Sequence, residues 1–322
     1  MDSISGEHRA FLARVASMYY LQDMTQAEIA RRINVSRSTV SRLLSEARAT
    51  GVVEITIHYL WERDQHLEND LKEEFGLRNV RVLMSQGRSY EEVLEGLGIL
   101  AAEYLEGLPG LNEKAIVGIG WGTGVRATVE ALHVDGRRGV TVVQMIGAVG
   151  TGDPQTDGTE LARRMAQAWG GQYRYLHAPL IVESARVRDA FLSEPRITET
   201  LDLARQAQVA LVGIGSPIRE VASLLRAGYL DEAALHRQQE WGVAGDVCGH
   251  PFDVNGKPLE TDLNRRLVGI ELESLRRIPQ VVGVAGGEIK AAAILGALRG
   301  GHLHVLVTDD AAARRVLELN SM

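Results

Sequence analysis

Residues Thr25–Ile57 read TQAEIARRINVSRSTVSRLLSEARATGVVEITI. Thr25 followed by Glu28 is a capping box, in which the hydroxyl and the carboxylate each satisfy an orphan backbone N–H. A helix over about Gln26–Ile33 follows, with Ile29, Ala30 and Ile33 turned inward. Asn34-Val35 makes a short turn and Ser36 is a good N-cap. In the next helix Val40, Leu43, Leu44 and Ala47 recur at i, i+3, i+4 and i+7, the spacing of one buried stripe. Its other face is Arg37, Ser38, Ser41, Arg42, Ser45 and Arg48. Gly51 suits a left-handed stop, and Val53, Ile55 and Ile57 alternate with polar residues as a strand does. Upstream, Phe11, Leu12, Val15, Met18 and Tyr19 form one stripe of a first helix over Glu7–Leu21. Two short helices joined by a tight turn, the second basic and hydroxyl-rich, make a helix-turn-helix, and the strand makes it a winged one. Arg, Ser and Thr at the start of such a second helix reach phosphates and base edges. The residues expected on the DNA side are Thr25, Gln26, Ser36, Arg37, Ser38, Thr39, Ser41 and Arg42.

Charge supports this division. The 322 residues carry a net charge of −7, so no global positive field attracts nucleic acid. Residues 1–57 hold seven arginines against six acids, a net of +1, which leaves −8 on residues 58–322. Within 31–48 five arginines meet one acid, Glu46. A small DNA-binding module joined to a larger acidic domain has this asymmetry. Hydrophobic residues make up 45% and charged residues 24%, which excludes a disordered or fibrous chain. Cys248 stands alone, so an internally stapled secreted scaffold is excluded and a reducing cytoplasm fits. No apolar run reaches the ~18 residues of a membrane helix, and MDSISGEHRA lacks the order of a signal peptide.

Residues 58–322 follow another grammar. His58–Gly76 reads as a charged helical connector into this domain, with Leu67, Leu71 and Phe75 in register. Apolar runs at 80–84, 115–119, 140–146, 209–214, 281–285 and 303–307 then alternate with helical stretches. Those stretches centre near 90–106, 123–133, 158–169, 198–206, 217–227, 230–241, 261–275, 288–299 and 309–319. Continuous apolar strands between helices predict a parallel sheet covered on both faces, an α/β Rossmann-like domain. Its ligands bind beyond the carboxyl ends of the strands. Five loops there are candidates: Gly118–Gly124 (GIGWGTG), Gly147–Gly152, Gly213–Pro217, the irregular Gly242–Asp253 (GVAGDVCGHPFD), and Gly286–Lys290 (GGEIK). The first lets backbone N–H groups approach a phosphate at a helix N-terminus. Thr123 stands where a dinucleotide fingerprint needs its third glycine, which argues against a dehydrogenase. The last loop puts Lys290, one of four lysines against thirty-one arginines, into the first turn of a helix. Cys248 and His250 have no second pair at metal spacing, so no metal site is expected. No Walker loop or G-x-S-x-G elbow is present.

The order of these signposts resembles the sorbitol-operon-regulator (SorC, DeoR-like) family of sugar-binding transcriptional regulators. Thr25–Ile57 is similar to that family's winged helix-turn-helix. VGIGWGT, VVQMIG, ALVGIGS, GVAGDVCGHPFD and VVGVAGGEIKAAAILGALRGGHLHVLVTDDAA repeat the order of its larger domain. The resemblance implies a bacterial regulator of a carbohydrate or polyol operon, without cofactor, whose larger domain is sugar-phosphate isomerase-like in fold. It implies operator DNA, a sugar phosphate or polyol phosphate, and further copies in a homodimer or homotetramer as partners. The effector site it implies comprises Gly122, Thr123, Gly124, Gly147, Asp246, Gly286, Gly287 and Lys290. In relatives the acid of the GD step bonds sugar hydroxyls and the lysine of GGxxK pairs with a phosphate or sugar oxygen. The competing possibility is an isomerase- or deaminase-like enzyme carrying a helix-turn-helix, since fold alone does not give function. Such isomerases carry an acid-rich DGADE-like segment, which this chain lacks.

Overall fold

A computed structural model describes residues 6–53, 61–112, 114–133, 139–150 and 154–322. The chain divides into two compact units, Met1–Leu60 and Trp61–Met322. The boundary expected after residue 57, and the wing strand at Ile55 and Ile57, fall outside the described residues.

In the first unit α1 (Gly6–Tyr20), α2 (Gln26–Ile33) and α3 (Arg37–Ala49) enclose Leu12, Val15, Ile29, Ala30, Val40, Leu44 and Ala47. The Thr25–Glu28 capping box forms in full, and Asn34 ends α2 in the left-handed region. The Ser36 hydroxyl accepts from the Thr39 N–H to start α3, and Gly51 past its end has a φ of +66°. Three short helices are marginal alone; the shared apolar core and the caps hold them.

The second unit is a doubly wound sheet. Its strands are β1 (Asn79–Leu83), β2 (Ile116–Ile119), β3 (Thr141–Gln144), β4 (Gln172–Arg174), β5 (Val209–Gly215), β6 (Gly245–Val247), β7 (His250–Phe252), β8 (Gln280–Val284) and β9 (Val305–Asp309). Seven of them run parallel in the order β1-β9-β8-β5-β2-β3-β4. The central strands are buried almost end to end, β9 at every residue, because both faces are covered. Helices α4 (Gln65–Phe75), α9 (Pro195–Arg205), α12 (Leu272–Arg277), α13 (Ala291–Arg299) and α14 (Asp310–Asn320) contribute to the core on one face. On the other lie α5 (Tyr90–Glu106), α6 (Thr123–Ala131) and α7 (Gly158–Ala168). The remaining helices are α8 (Ala185–Leu192), α10 (Ser223–Arg226) and α11 (Glu232–Glu240). No helix among the described residues is long and apolar enough to cross a membrane.

Several expectations change. The stretch read as a connector is α4, a full member of the sheet cover: Leu67 and Leu71 are buried in the core. Most of its charges lie on the outer face, but Glu68 is buried, pairing with Arg63 and accepting from the Val82 N–H of β1. The irregular Gly242–Asp253 loop is a hairpin, β6 and β7 joined by Cys248-Gly249, both at positive φ (53° and 76°). That is the turn whose twist suits a two-residue hairpin. The helix expected over 217–227 is a short turn at Arg219–Val221 followed by the four residues of α10. The one expected over 261–275 is interrupted. Thr261 and Asn264 exchange side-chain and backbone hydrogen bonds, and only a short 3-10 turn at Asn264–Arg266 forms ahead of α12. The edge strand β4 is exposed at every residue, and α8 buries none of its residues.

The close approach of α5 to α6 is set by Gly98, where a Cβ would overlap the Ala127 carbonyl. Gly98→Ala is expected to cost about 1–3 kcal/mol, the usual range for overpacking, read as a lower urea midpoint. An unchanged midpoint would show that the two helices can separate freely.

Candidate functional site

Strand order reverses between β2 and β5. From β2 the chain winds outward through β3 and β4, with α6 and α7 on one face; from β5 it winds the other way through β8 and β9, with α13 on the opposite face. A crevice opens at such a switch point beyond the strand ends. Here it encloses about 470 Å³ including its open mouth, lined by Gly120–Gly124 after β2, Gly213–Gly215 of β5, and Val284, the last residue of β8. Gly122, at a φ of +112°, is the N-cap of α6, so the unbonded first-turn N–H groups of α6 face the crevice. That arrangement favours an anion. Gly124 is required by packing, since a Cβ would stand 2.6 Å from the Val284 carbonyl oxygen.

Three ionisable side chains enter. Asp246 on β6 lies opposite Gly215 in the β5–β6 pairing, so close that only glycine fits there. Its carboxylate accepts from the Gly249 N–H at 3.2 Å. Burial raises its pKa to about 6, against the lowering effects of that hydrogen bond and of Lys290. Lys290 ends the turn Glu288–Lys290 and caps α13, rather than lying within its first turn. Its ammonium donates to the Ile214 carbonyl at 2.9 Å. Burial lowers its pKa to about 8, Asp246 opposing and Arg226 assisting. Arg226, exposed at the end of α10, makes no ion pair among the described residues. Cys248 also lines the cleft, and burial pushes its thiol up to about 12, so it is a neutral wall. His250 turns elsewhere, its Nε2 bonded to the Ile270 carbonyl at 2.9 Å.

Of the residues the sequence singled out, the cleft brings together Gly122, Thr123, Gly124, Asp246 and Lys290. Gly147 is elsewhere: it is buried against Pro179, where a Cβ would overlap the Pro179 carbonyl, and its N–H bonds to Val268. Its role is packing beside β3. Gly286 and Gly287 lie behind the cleft lining and shape the turn that carries Lys290. The Gly287 N–H donates to the buried Asp309 carboxylate, which also accepts from the Ala312 N–H.

In the first unit Ser36, Arg37, Ser38, Ser41, Arg42, Ser45 and Arg48 are exposed along α3. Arg37 and Arg42 make no ion pair among the described residues. Glu46, the one carboxylate of α3, is bonded to His8 of α1 at 2.7 Å, off this face. Thr25 and Thr39 differ from the rest. The Thr25 hydroxyl is committed to Glu28, and half-buried Thr39 is paired with Ser36. Gln26 is half-buried.

Known proteins resemble both units of the chain. Residues 61–318 match a family model described as "Putative sugar-binding domain", and residues 13–50 match one for sigma-70 region 4. The chain is 32% identical to the deoxyribonucleoside regulator of Bacillus subtilis, over 97% of this chain and 98% of that protein. It is 35% identical to the transcriptional regulator LsrR of Klebsiella pneumoniae, over 96% and 93%. Its structure aligns with that of the full-length sorbitol operon regulator SorC of Klebsiella pneumoniae at a TM-score of 0.74 and 32% identity, over 98% and 100% of the two chains. The chain belongs to the SorC family of sugar-binding transcriptional regulators. These relatives are regulators and not enzymes, which sets aside the isomerase-like alternative.

Sequence reasoning missed Ser223 and Arg226 of the cleft, along with Asp309 behind it. Arg226 was one arginine among thirty-one and sits on a helix too short to show periodicity. Asp309 was legible only as an N-cap, which it also is. Asp309→Asn leaves Gly287 or Ala312 without its acceptor. A loss of about 1–3 kcal/mol is expected, read as a lower Tm; an unchanged Tm would show that the glycine turn stands unaided.

Proposed function

We propose that this SorC-family chain is a cytoplasmic regulator of a carbohydrate or polyol catabolic operon, that α3 grips the operator, and that a phosphorylated sugar or polyol in the cleft controls the grip. The observation that carries the effector reading is the convergence of Lys290 and Arg226 on the amide-lined start of α6, with a single carboxylate, Asp246, at hand. Amide N–H groups, the Thr123 hydroxyl and the two cations hold the phosphate through charge-assisted hydrogen bonds. Asp246 accepts from sugar hydroxyls, so one end of the cleft reads charge and the other reads the polyol. The names of the relatives, regulators of a sorbitol operon and of deoxyribonucleosides, support a carbohydrate effector. A single helix-turn-helix reads a short half-site, and two-fold copies read two about one helical turn or a multiple apart. The working form is accordingly a homodimer or homotetramer.

Lys290→Ala and Asp246→Ala are expected to lose the effector response while keeping operator binding, because α3 belongs to the other unit. A thermal-shift screen of phosphorylated and free sugars and polyols identifies the ligand, and gel shifts with and without it check the response. Retention of the full response by Lys290→Ala would overturn the anion site.

The pH dependence has a definite sign. Lys290 must be charged to hold the phosphate, and its folded pKa is about 8. Asp246 must be ionised to accept hydroxyls freely, and its folded pKa is about 6. Effector affinity is therefore expected to be greatest between about pH 6 and pH 8 and to fall on both sides. Stability of the empty protein moves oppositely. Both groups bear their charge less readily folded than unfolded, so these sites favour folding as pH falls from about 6 or rises beyond about 8. Affinity that stays flat from pH 7 to pH 9 would contradict the role of Lys290.

On the DNA side, Arg37→Ala/Arg42→Ala is expected to weaken operator binding. A lost base contact costs about 1–3 kcal/mol and relaxes specificity, whereas a lost phosphate contact weakens all sequences and flattens the salt slope. Wild-type binding across salt concentrations would place the recognition surface elsewhere.

A further inference from the structure

The larger unit begins at Trp61, and its first residues are the sequence through which the helix-turn-helix is attached. They are held firmly. Trp61–Asp64 runs antiparallel beside the end of β1, where the Asp64 N–H donates to the Val82 carbonyl and the Met84 N–H to the Glu62 carbonyl, each at 2.9 Å. Arg63 pairs with the buried Glu68. The Trp61 ring fills the notch left by Gly96 of α5, where a Cβ would stand 2.6 Å from its Cε3.

This segment is tied to the turn that carries Lys290. Asp309 and Asp310 are consecutive residues at the joint between β9 and α14. The Asp309 carboxylate accepts from the Gly287 N–H. The Asp310 carboxylate accepts from the Ser85 N–H at 2.8 Å and from the Ser85 hydroxyl at 2.6 Å. Ser85 follows Met84, the residue bonded to Glu62. One turn along α14, Arg314 pairs with Asp64 at 3.1 Å. Helix α5 touches the same two places with neighbouring residues. Gly96 receives Trp61, and Leu97 lies against Gly286, where a Cβ would stand 2.6 Å from its Cδ1.

The Lys290 turn has two partners open to it. Its ammonium is bonded to the Ile214 carbonyl, and must leave that carbonyl to take an anion. Gly287 lies three residues back in the same turn, so the exchange acts on the N–H that Asp309 receives. Two carboxylates on consecutive residues, at the end of a strand buried throughout, shift together. Hydrogen-bonded networks with two discrete arrangements carry free energy between sites.

We propose that Asp310 is a positioning residue of the regulatory response: with Asp309 it couples the state of the Lys290 turn to the hold on Trp61–Asp64, where the helix-turn-helix unit is attached. The inference rests on the anion reading of the cleft given above. Asp310 is not among the residues lining that cleft, so its loss removes the coupling and leaves the anion's contacts in place.

The test uses the full-length protein and Asp310→Ala, with Ser85→Ala in its place should that variant fail to fold. The probe is inorganic phosphate at constant ionic strength. Its affinity is read from the rise in Tm, and the hold on the segment from hydrogen exchange of peptides spanning residues 61–68 and 82–88. In the wild type phosphate is expected to slow that exchange at least about fivefold, the lower end of ordinary coupling between sites. The variant is expected to keep its phosphate affinity and lose the slowing. Equal slowing in both proteins overturns the inference and leaves the anion site standing. So does a wild type whose Tm rises with phosphate while the exchange stays unchanged. A variant that loses phosphate affinity also overturns it, for Asp310 would then support the cleft itself. Absence of any rise in the wild-type Tm overturns the anion reading and the inference together.

Discussion

A parallel sheet can be closed only by crossovers that return over its faces, and every return brings a helix N-terminus to the same edge. In this protein seven strands obey that constraint, so all the positive helix ends and all the strand-end loops face one way. The reversal between β2 and β5 separates the loops that follow those two strands and opens the cleft. Glycines at 120, 122, 124, 213 and 215 then let side chains from elsewhere come in. Asp246 reaches the cleft because the β6–β7 hairpin folds back on β5, and Lys290 because Asp309 fixes the glycine turn before it. The two buried charges work against stability. They persist in a place where contacts with a bound molecule, an anion for Lys290 and hydroxyls for Asp246, would relieve them, as binding sites commonly show.

The division of charge between the two units follows from what each must touch. The larger unit carries the net negative charge of the chain, which discourages contact with DNA away from the module. The small unit needs only a local patch, and α3 supplies it with arginines that make no ion pair with a carboxylate among the described residues. Its one acid, Glu46, is drawn to His8 and does not neutralise them.

Much of this was legible in the sequence, and the reasons are specific. The capping box at Thr25 and Glu28, the Asn34 turn and the Ser36 cap are local hydrogen-bonding devices, so short-range spacing identifies them. The six apolar runs were legible because strands buried on both faces are largely apolar on both, with Arg81, Thr141, Gln144 and His304 the few interruptions. Where packing between distant segments decides, the sequence was silent. Gly147 reads like a ligand loop but is a contact with Pro179. The Cys248-Gly249 hairpin lacks the usual Asn-Gly or Asp-Gly, so the segment passed for an irregular loop. Arg226 reaches the cleft from α10, which carries no glycine-rich signpost. The amphipathic stripe of α4 was visible, but nothing local says that it covers the sheet instead of bridging the two units.

Crystals of the full-length protein grown in inorganic phosphate would examine the cleft most directly. Phosphate should occupy the start of α6, within hydrogen-bond reach of the Thr123 and Gly124 amides, with the Lys290 ammonium turned from the Ile214 carbonyl to the anion. An empty cleft with Lys290 still on Ile214, while phosphate occupies sites elsewhere on the protein, would contradict an effector site built to hold an anion.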